Sequence, residues 1–220
     1  MLAAVINFPG SNREQDAIMA LERAMGRKPQ VIWHGDSALP KTDLIVLPGG
    51  FSYGDYLRTG AMAAHSPIMR EVVDRAKKGV RVLGICNGFQ ILCETQLLPG
   101  ILLRNSKLKF VCRRVKLRVE NAESDFTRLY KQGQEIDVIV AHGDGNYFAS
   151  DDTLNHLEDN RQIAFRYCDN PNGAARDIAG IFNNGRTVLG LMPHLEDAVE
   201  PMHGSTDGAA LFDSIVRALQ

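Results

Sequence analysis

Residues 80–92, VRVLGICNGFQIL, leave few folds open to this chain. A β-branched, apolar run enters Gly84, the chain turns at Cys86, and it leaves through Gly88 into the helix-compatible segment 89–92. Strand, sharp turn and helix with a thiol at the apex form the cysteine version of a nucleophile elbow, G-x-C-x-G. An elbow strains its central residue, and side chains two positions before and after it would collide, so both positions call for glycine. The sulfur then sits at the carboxyl end of a strand. The N-terminus of the following helix points at it and favours thiolate over thiol. The competing reading makes Cys86 a small buried hydrophobe, which leaves the flanking glycines without a role.

The rest of the first half alternates strand and helix. Residues 2–8 read as a buried strand, 14–25 as a helix with Ala17, Ile18, Leu21 and Met25 on one face, and 30–33 as a second strand. Ser11 or Asn12 is positioned to cap the first helix, and Gly26 ends it. Residues 44–47 form a third strand, stopped by Pro48-Gly49-Gly50, and 66–78 have helical spacing. This alternation predicts an α/β fold with a doubly wound, mostly parallel sheet. The second half reads as strands at 109–119, 135–141, 162–167, 178–182 and 187–191, with helices at 151–157 and 205–219. It adds antiparallel strands at an edge. No repeat, low-complexity tract or linker interrupts the chain, which predicts one domain over 1–220.

The bulk numbers narrow the function classes. The sequence has 220 residues, is 45% hydrophobic and 23% charged, and suits one α/β domain with a sizeable core. A formal net charge of -1 implies no general attraction to nucleic acid or an anionic membrane. No apolar run is long enough to span a bilayer, and the amino terminus, MLAAVINFPG, reads as a strand rather than a secretory signal. Cys86, Cys93, Cys112 and Cys168 form no CxxC pair and no zinc spacing, so no metal is expected. Separated thiols without a signal suggest the cytoplasm. Cys93, Cys112 and Cys168 read as buried packing.

A nucleophilic thiol needs a base, and the base an orienter. His194 follows the strand-like run TVLGLM and a proline, and Glu196 lies two residues on. In extended backbone the two would face the same side; on a helix they would diverge. His142 is the second candidate base. It ends a strand in the glycine-rich loop His142-Gly143-Asp144-Gly145, which reads more readily as a backbone-binding loop for a substrate's charged end. The adjacent Gly49 and Gly50, straight after a strand, would let backbone N–H groups face a ligand.

The segments FPGSN, LPGGFSYGDYLR, GICNGFQIL, LLPG, LKFVCR, AHGDGNY, IAGI and LGLMPHLE occur in that order over nearly the whole chain. Together they resemble the triad-type (class I) glutamine amidotransferases, whose fold is flavodoxin-like. The resemblance implies a Cys–His–Glu triad of Cys86, His194 and Glu196. It also implies an oxyanion hole from backbone N–H groups around Gly50 and Asn87, with Gly49, Gln90, His142 and Gly143 as further glutamine-binding candidates. The family motif usually reads His-Pro-Glu; Leu195 stands in place of that proline.

GGFSYGDYLR with AHGDGNY points to the branch that serves purine biosynthesis. That branch implies a glutaminase delivering ammonia to a large synthetase subunit, which uses ATP and Mg to convert formylglycinamide ribonucleotide to its amidine, with a small bridging subunit. The chain has no P-loop, so ATP chemistry and cofactors are expected in the partner and none in this chain. Three alternatives share the elbow: an amidotransferase of another pathway, an elbow-cysteine hydrolase without a synthetase partner, and a non-catalytic glutamine-sensing subunit.

Overall fold

The computed structural model describes residues 1–220. In the first half, β1 (Ala3–Asn7), α1 (Glu14–Met25), β2 (Gln30–Trp33) and β3 (Leu44–Leu47) follow the periodicity of the sequence. The short α2 (Ala61–Ala64) precedes α3 (Pro67–Lys77), β4 (Arg81–Ile85) and α4 (Asn87–Glu94). The second half runs β5 (Ile101–Leu103), β6 (Val111–Val119), β7 (Glu135–His142), β8 (Asn146–Phe148), α5 (Asp151–Asp159), β9 (Ile163–Tyr167), β10 (Ile178–Phe182), β11 (Val188–Leu191) and α6 (Ala209–Ala218).

One nine-stranded sheet runs β2-β1-β3-β4-β11-β10-β9-β6-β7. From β2 to β11 neighbouring strands are parallel. From β11 onward each neighbour is antiparallel, which extends one edge. The connections β1–α1–β2 and β3–α3–β4 run in opposite directions along the sheet. With right-handed crossovers this places α1 and α3 on opposite faces, the doubly wound arrangement. The winding reverses between β1 and β3, and ligands of such sheets bind beyond the carboxyl ends of the strands there.

The central strands read as continuous apolar runs because both faces are covered: β3 and β11 are buried at every position. Residues 87–93 of α4 are all buried, over β3, β4 and β11, and α1 packs with α6 on the other side. No helix is long and apolar enough to cross a membrane.

Some local expectations change. Neither Ser11 nor Asn12 caps α1; Arg13 holds the N-cap position without a side-chain cap bond. The Ser11 hydroxyl accepts from Phe8 N–H instead (3.2 Å), closing the turn after β1. α6 begins at Ala209, not at 205, because the preceding residues are bonded elsewhere. Asp207 Oδ2 accepts from Asp137 N–H (2.8 Å), and Gly208 N–H donates to Ala198 O (2.8 Å). Cys93 is buried, but Cys112 and Cys168 are exposed, since β6 near Cys112 and the end of β9 lie on the thinly covered antiparallel edge. The β5–β8 pair leaves no signature in the sequence, because three residues carry too little periodicity.

Candidate active site

Cys86 joins β4 to α4 with φ 51° and ψ -106°. For a residue with a Cβ this is a strained conformation, costing about 1–3 kcal/mol. The surroundings enforce it. Cys86 N–H donates to Leu191 O (2.8 Å), tying the turn to β11. A Cβ on Gly84 would lie 2.7 Å from the carbonyl carbon of Gly88, and one on Gly88 would lie 2.0 Å from Leu47 O. The two glycines therefore let the first turn of α4 touch both β4 and β3. The Cys86 thiol, 5% exposed, lies at the end of the strands with its sulfur 3.9 Å from Ala141 O.

His194 arrives from β11 through Met192 and Pro193. Its N–H donates to Ile139 O of β7 (2.8 Å), which fixes the imidazole between the parallel half and the antiparallel edge. Nδ1 lies 2.7 Å from Glu196 Oε1, with both side chains buried. The expected extended backbone is not what produces this pair. Leu195 is in the right-handed helical region (φ -76°, ψ -24°), and Glu196 opens a tight turn, Glu196–Ala198. One helical residue between them folds the carboxylate back onto the ring. Ala198 N–H to Leu195 O (3.1 Å) and Gly208 N–H to Ala198 O (2.8 Å) brace the turn. The φ of Leu195 falls within the range that proline would impose, so burial of its side chain holds what a proline ring would lock.

Burial opposes a charged His194, but the carboxylate of Glu196 and then the thiol of Cys86 outweigh it. The imidazole therefore holds its proton well above the ordinary histidine range. Its Nε2, the nitrogen remote from Glu196, is buried without a hydrogen bond.

Cys86 and His194 line a common cavity of about 230 Å³ with Asn12 and Arg13, which follow β1, and Gly50 and Phe51, which follow β3. This is the β1/β3 reversal. Phe110, Cys112 and Ala141 close it from the antiparallel side, and the Phe51 and Phe110 rings lie 6.4 Å apart. Gly49 lies against the imidazole: a Cβ there would be 2.8 Å from His194 Cε1. At Gly50 (φ 145°) a Cβ would lie 2.8 Å from Ser11 Cα. Neither Gly50 N–H nor Asn87 N–H donates to any turn or cap carbonyl, so both can serve a ligand. The Asn87 side chain holds this geometry, with Oδ1 accepting from Ser52 N–H (3.2 Å) and Nδ2 donating to Gln90 Oε1 (2.8 Å).

The other candidates lie behind the cavity. Gln90 Nε2 donates to Asp144 O (2.7 Å), pinning the 142–146 loop to α4. His142 is buried, with Nδ1 3.2 Å from Asn105 Oδ1 and Nε2 3.4 Å from Asn172 Nδ2. Burial, and then the positive charge of His194, push it down to about 4, so it is neutral near pH 7. Gly143 O accepts from Asn105 N–H (2.9 Å). Sequence reading missed Asn12, Arg13, Phe51 and Phe110 in the cavity wall, and Asp197, which pairs with Arg13 at 2.8 Å. Only the strand order brings them together.

The arrangement is that of a thiol, an imidazole and a carboxylate beside two free backbone donors, which suits acyl transfer through a thioester. A family model described as "CobB/CobQ-like glutamine amidotransferase domain" matches residues 1–210. A relative from Rhizobium etli, named phosphoribosylformylglycinamidine synthase subunit PurQ, is 56% identical and covers 97% of each chain. A relative of the same name from Zymomonas mobilis is 54% identical over 100% of both. A chain in the structure of PurLQS from Thermotoga maritima superposes with a TM-score of 0.91 at 44% identity, covering 99% of this chain and 98% of that one.

Proposed function

We propose a reaction for Cys86 from one premise: the chain belongs to the CobB/CobQ-like glutamine amidotransferase domain family. Its activity is that of the glutaminase subunit of phosphoribosylformylglycinamidine synthase, which hydrolyses glutamine and supplies ammonia for purine biosynthesis. The observation that carries the assignment of residues is the strained Cys86 thiol sharing one cavity with His194, whose imidazole is held by a buried Glu196.

The Cys86 thiolate attacks the γ-amide carbon of glutamine. Gly50 N–H and Asn87 N–H receive the tetrahedral oxyanion, each such donor being worth on the order of 3 kcal/mol. His194 Nε2 gives its proton to the leaving nitrogen, the C–N bond breaks, and ammonia departs from a glutamyl thioester. His194 then takes a proton from water, hydroxide attacks the thioester, and glutamate leaves with Cys86 regenerated. Glu196 orients the imidazole and supports its charged form throughout.

Ammonia released into water would be protonated and lost as a nucleophile, so the product needs a sheltered route to its acceptor. The resemblance supports a large synthetase subunit that holds ATP and Mg and activates formylglycinamide ribonucleotide, together with a small bridging subunit. The four free thiols suit a reducing cytoplasm.

The test is amidine formation by this chain with such a synthetase and ATP, comparing glutamine with ammonia. The chain should confer glutamine dependence, and the Cys86→Ala form should support ammonia alone. Glutamine use that survives Cys86→Ala would sink the assignment of the nucleophile.

A further inference from the structure

Glutamine is a zwitterion, and when its γ-amide reaches Cys86 its α-carboxylate enters a cavity of about 230 Å³. A carboxylate taken from water into so small a space needs a charged or hydrogen-bonding partner. Apart from His194, which is committed to Glu196, Arg13 is the one basic side chain in the cavity wall.

Arg13 is built to stay there. Its Cβ and Cγ lie 3.4 and 3.5 Å from the point where a Cβ of Gly49 would stand, against the strip of backbone that also meets His194. Its Nη1 donates to Asp16 Oδ2 (3.2 Å) and Asp197 Oδ2 (2.8 Å), which anchors the guanidinium from the first turn of α1 and from the residue after Glu196. Those two bonds use one nitrogen. Nε and Nη2 donate to nothing in the protein, and the side chain is 34% exposed. A guanidinium held by one nitrogen offers its remaining edge as a planar fork, the geometry that receives a carboxylate through two parallel N–H···O bonds.

From this geometry we infer that Arg13 binds the α-carboxylate of glutamine. The inference rests on the glutaminase reading and adds a specificity residue to it. It separates two jobs on neighbouring loops: the triad works on the amide end, and the turn after β1 reads the amino-acid end. It also gives the Arg13–Asp197 bond a purpose, since that bond sets the carboxylate subsite at a fixed distance from the turn that carries His194 and Glu196.

The test compares glutamine with 4-aminobutanamide, which is glutamine without its carboxylate, in the synthase assembled with its partner subunits. The wild-type chain should release ammonia from 4-aminobutanamide with a kcat/KM at least tenfold below that for glutamine. Arg13→Gln should lower kcat/KM for glutamine by on the order of tenfold to a hundredfold, mainly through KM, and lower that for 4-aminobutanamide by a much smaller factor. Arg13→Lys should recover part of the loss for glutamine alone. An equal fall for both amides would make Arg13 a support for Asp197 only and overturn the inference. Equal use of both amides by the wild-type chain would overturn it without any variant. Failure of the wild-type complex to hydrolyse glutamine at all would overturn the glutaminase reading itself, and this inference with it.

Discussion

The imidazole of His194 meets the carboxylate of Glu196 at 2.7 Å across a single helical residue, Leu195. The pair is buried, so its electrostatics are strong, and the proton on His194 is held by Glu196 and Cys86 against the cost of burial. A raised folded-state value means that this proton stabilises the fold fully below the ordinary histidine value of about 6.5. The contribution is lost as pH rises through the elevated value. In Glu196→Gln only burial and the thiol remain, and burial lowers the imidazole's affinity for its proton. Glutaminase kcat should fall by roughly 10³–10⁴-fold, as for loss of the orienting carboxylate in other triads. Alkylation of Cys86 by iodoacetamide near pH 7 should slow in the same variant; an unchanged alkylation rate would count against the coupling.

Strain and chemistry separate at Cys86. Cys86→Ala keeps the φ of 51° and should melt close to the wild-type temperature while losing glutamine hydrolysis. Cys86→Gly relieves the strain and should be more stable than Cys86→Ala by about 1 kcal/mol in urea titrations. A Cys86→Gly protein less stable than Cys86→Ala would mean that the elbow is not strained.

Gly49 tests how tightly the imidazole is placed. Ala at this position puts a Cβ 2.8 Å from His194 Cε1, and the ring must shift by a few tenths of an ångström or more. Gly49→Ala should fold and assemble but lose up to about a hundredfold in kcat, the scale expected for a misplaced catalytic group. Steady-state kinetics beside a thermal melt would separate this from general instability.

Leu195→Pro should be tolerated. The φ of -76° suits proline, and the Leu195 N–H makes no turn or cap hydrogen bond that proline would remove. Glutaminase kcat should stay within about threefold of wild type. A large loss would show that the buried leucine side chain, rather than the backbone angle, holds the turn.

His142 should make the fold sensitive to mild acid. Burial and His194 depress it to about 4, so between roughly pH 6.5 and 4 the unfolded chain binds a proton that the folded chain refuses. Stability is therefore present above 6.5 and falls as pH drops, by on the order of 3 kcal/mol from this residue. His142→Gln, which retains a partner for Asn105, should flatten that part of the melting-temperature profile.

The features readable along the chain are those whose physics is local. The elbow was legible because the glycines, the strand and the helix that strain Cys86 are contiguous in the chain. The parallel half was legible because strands covered on both faces are written as unbroken apolar runs. His194 and Glu196 could be paired from the sequence, but the extended backbone that their spacing suggested is not what joins them: Leu195 between them is helical, and the turn it leads into folds the carboxylate back onto the ring. Which residues share the cavity follows from the folded arrangement. Arg13 and Asp197 are 184 positions apart, and Phe51 meets Phe110, because the winding reversal between β1 and β3 faces the antiparallel edge. The same arrangement has His142 and Gln90 hold the loop behind the site while Cys112 faces the cavity. The physical reason is the same in each case: periodicity reports which side of its own element a residue occupies, whereas a cavity is made by the order in which distant elements are laid side by side.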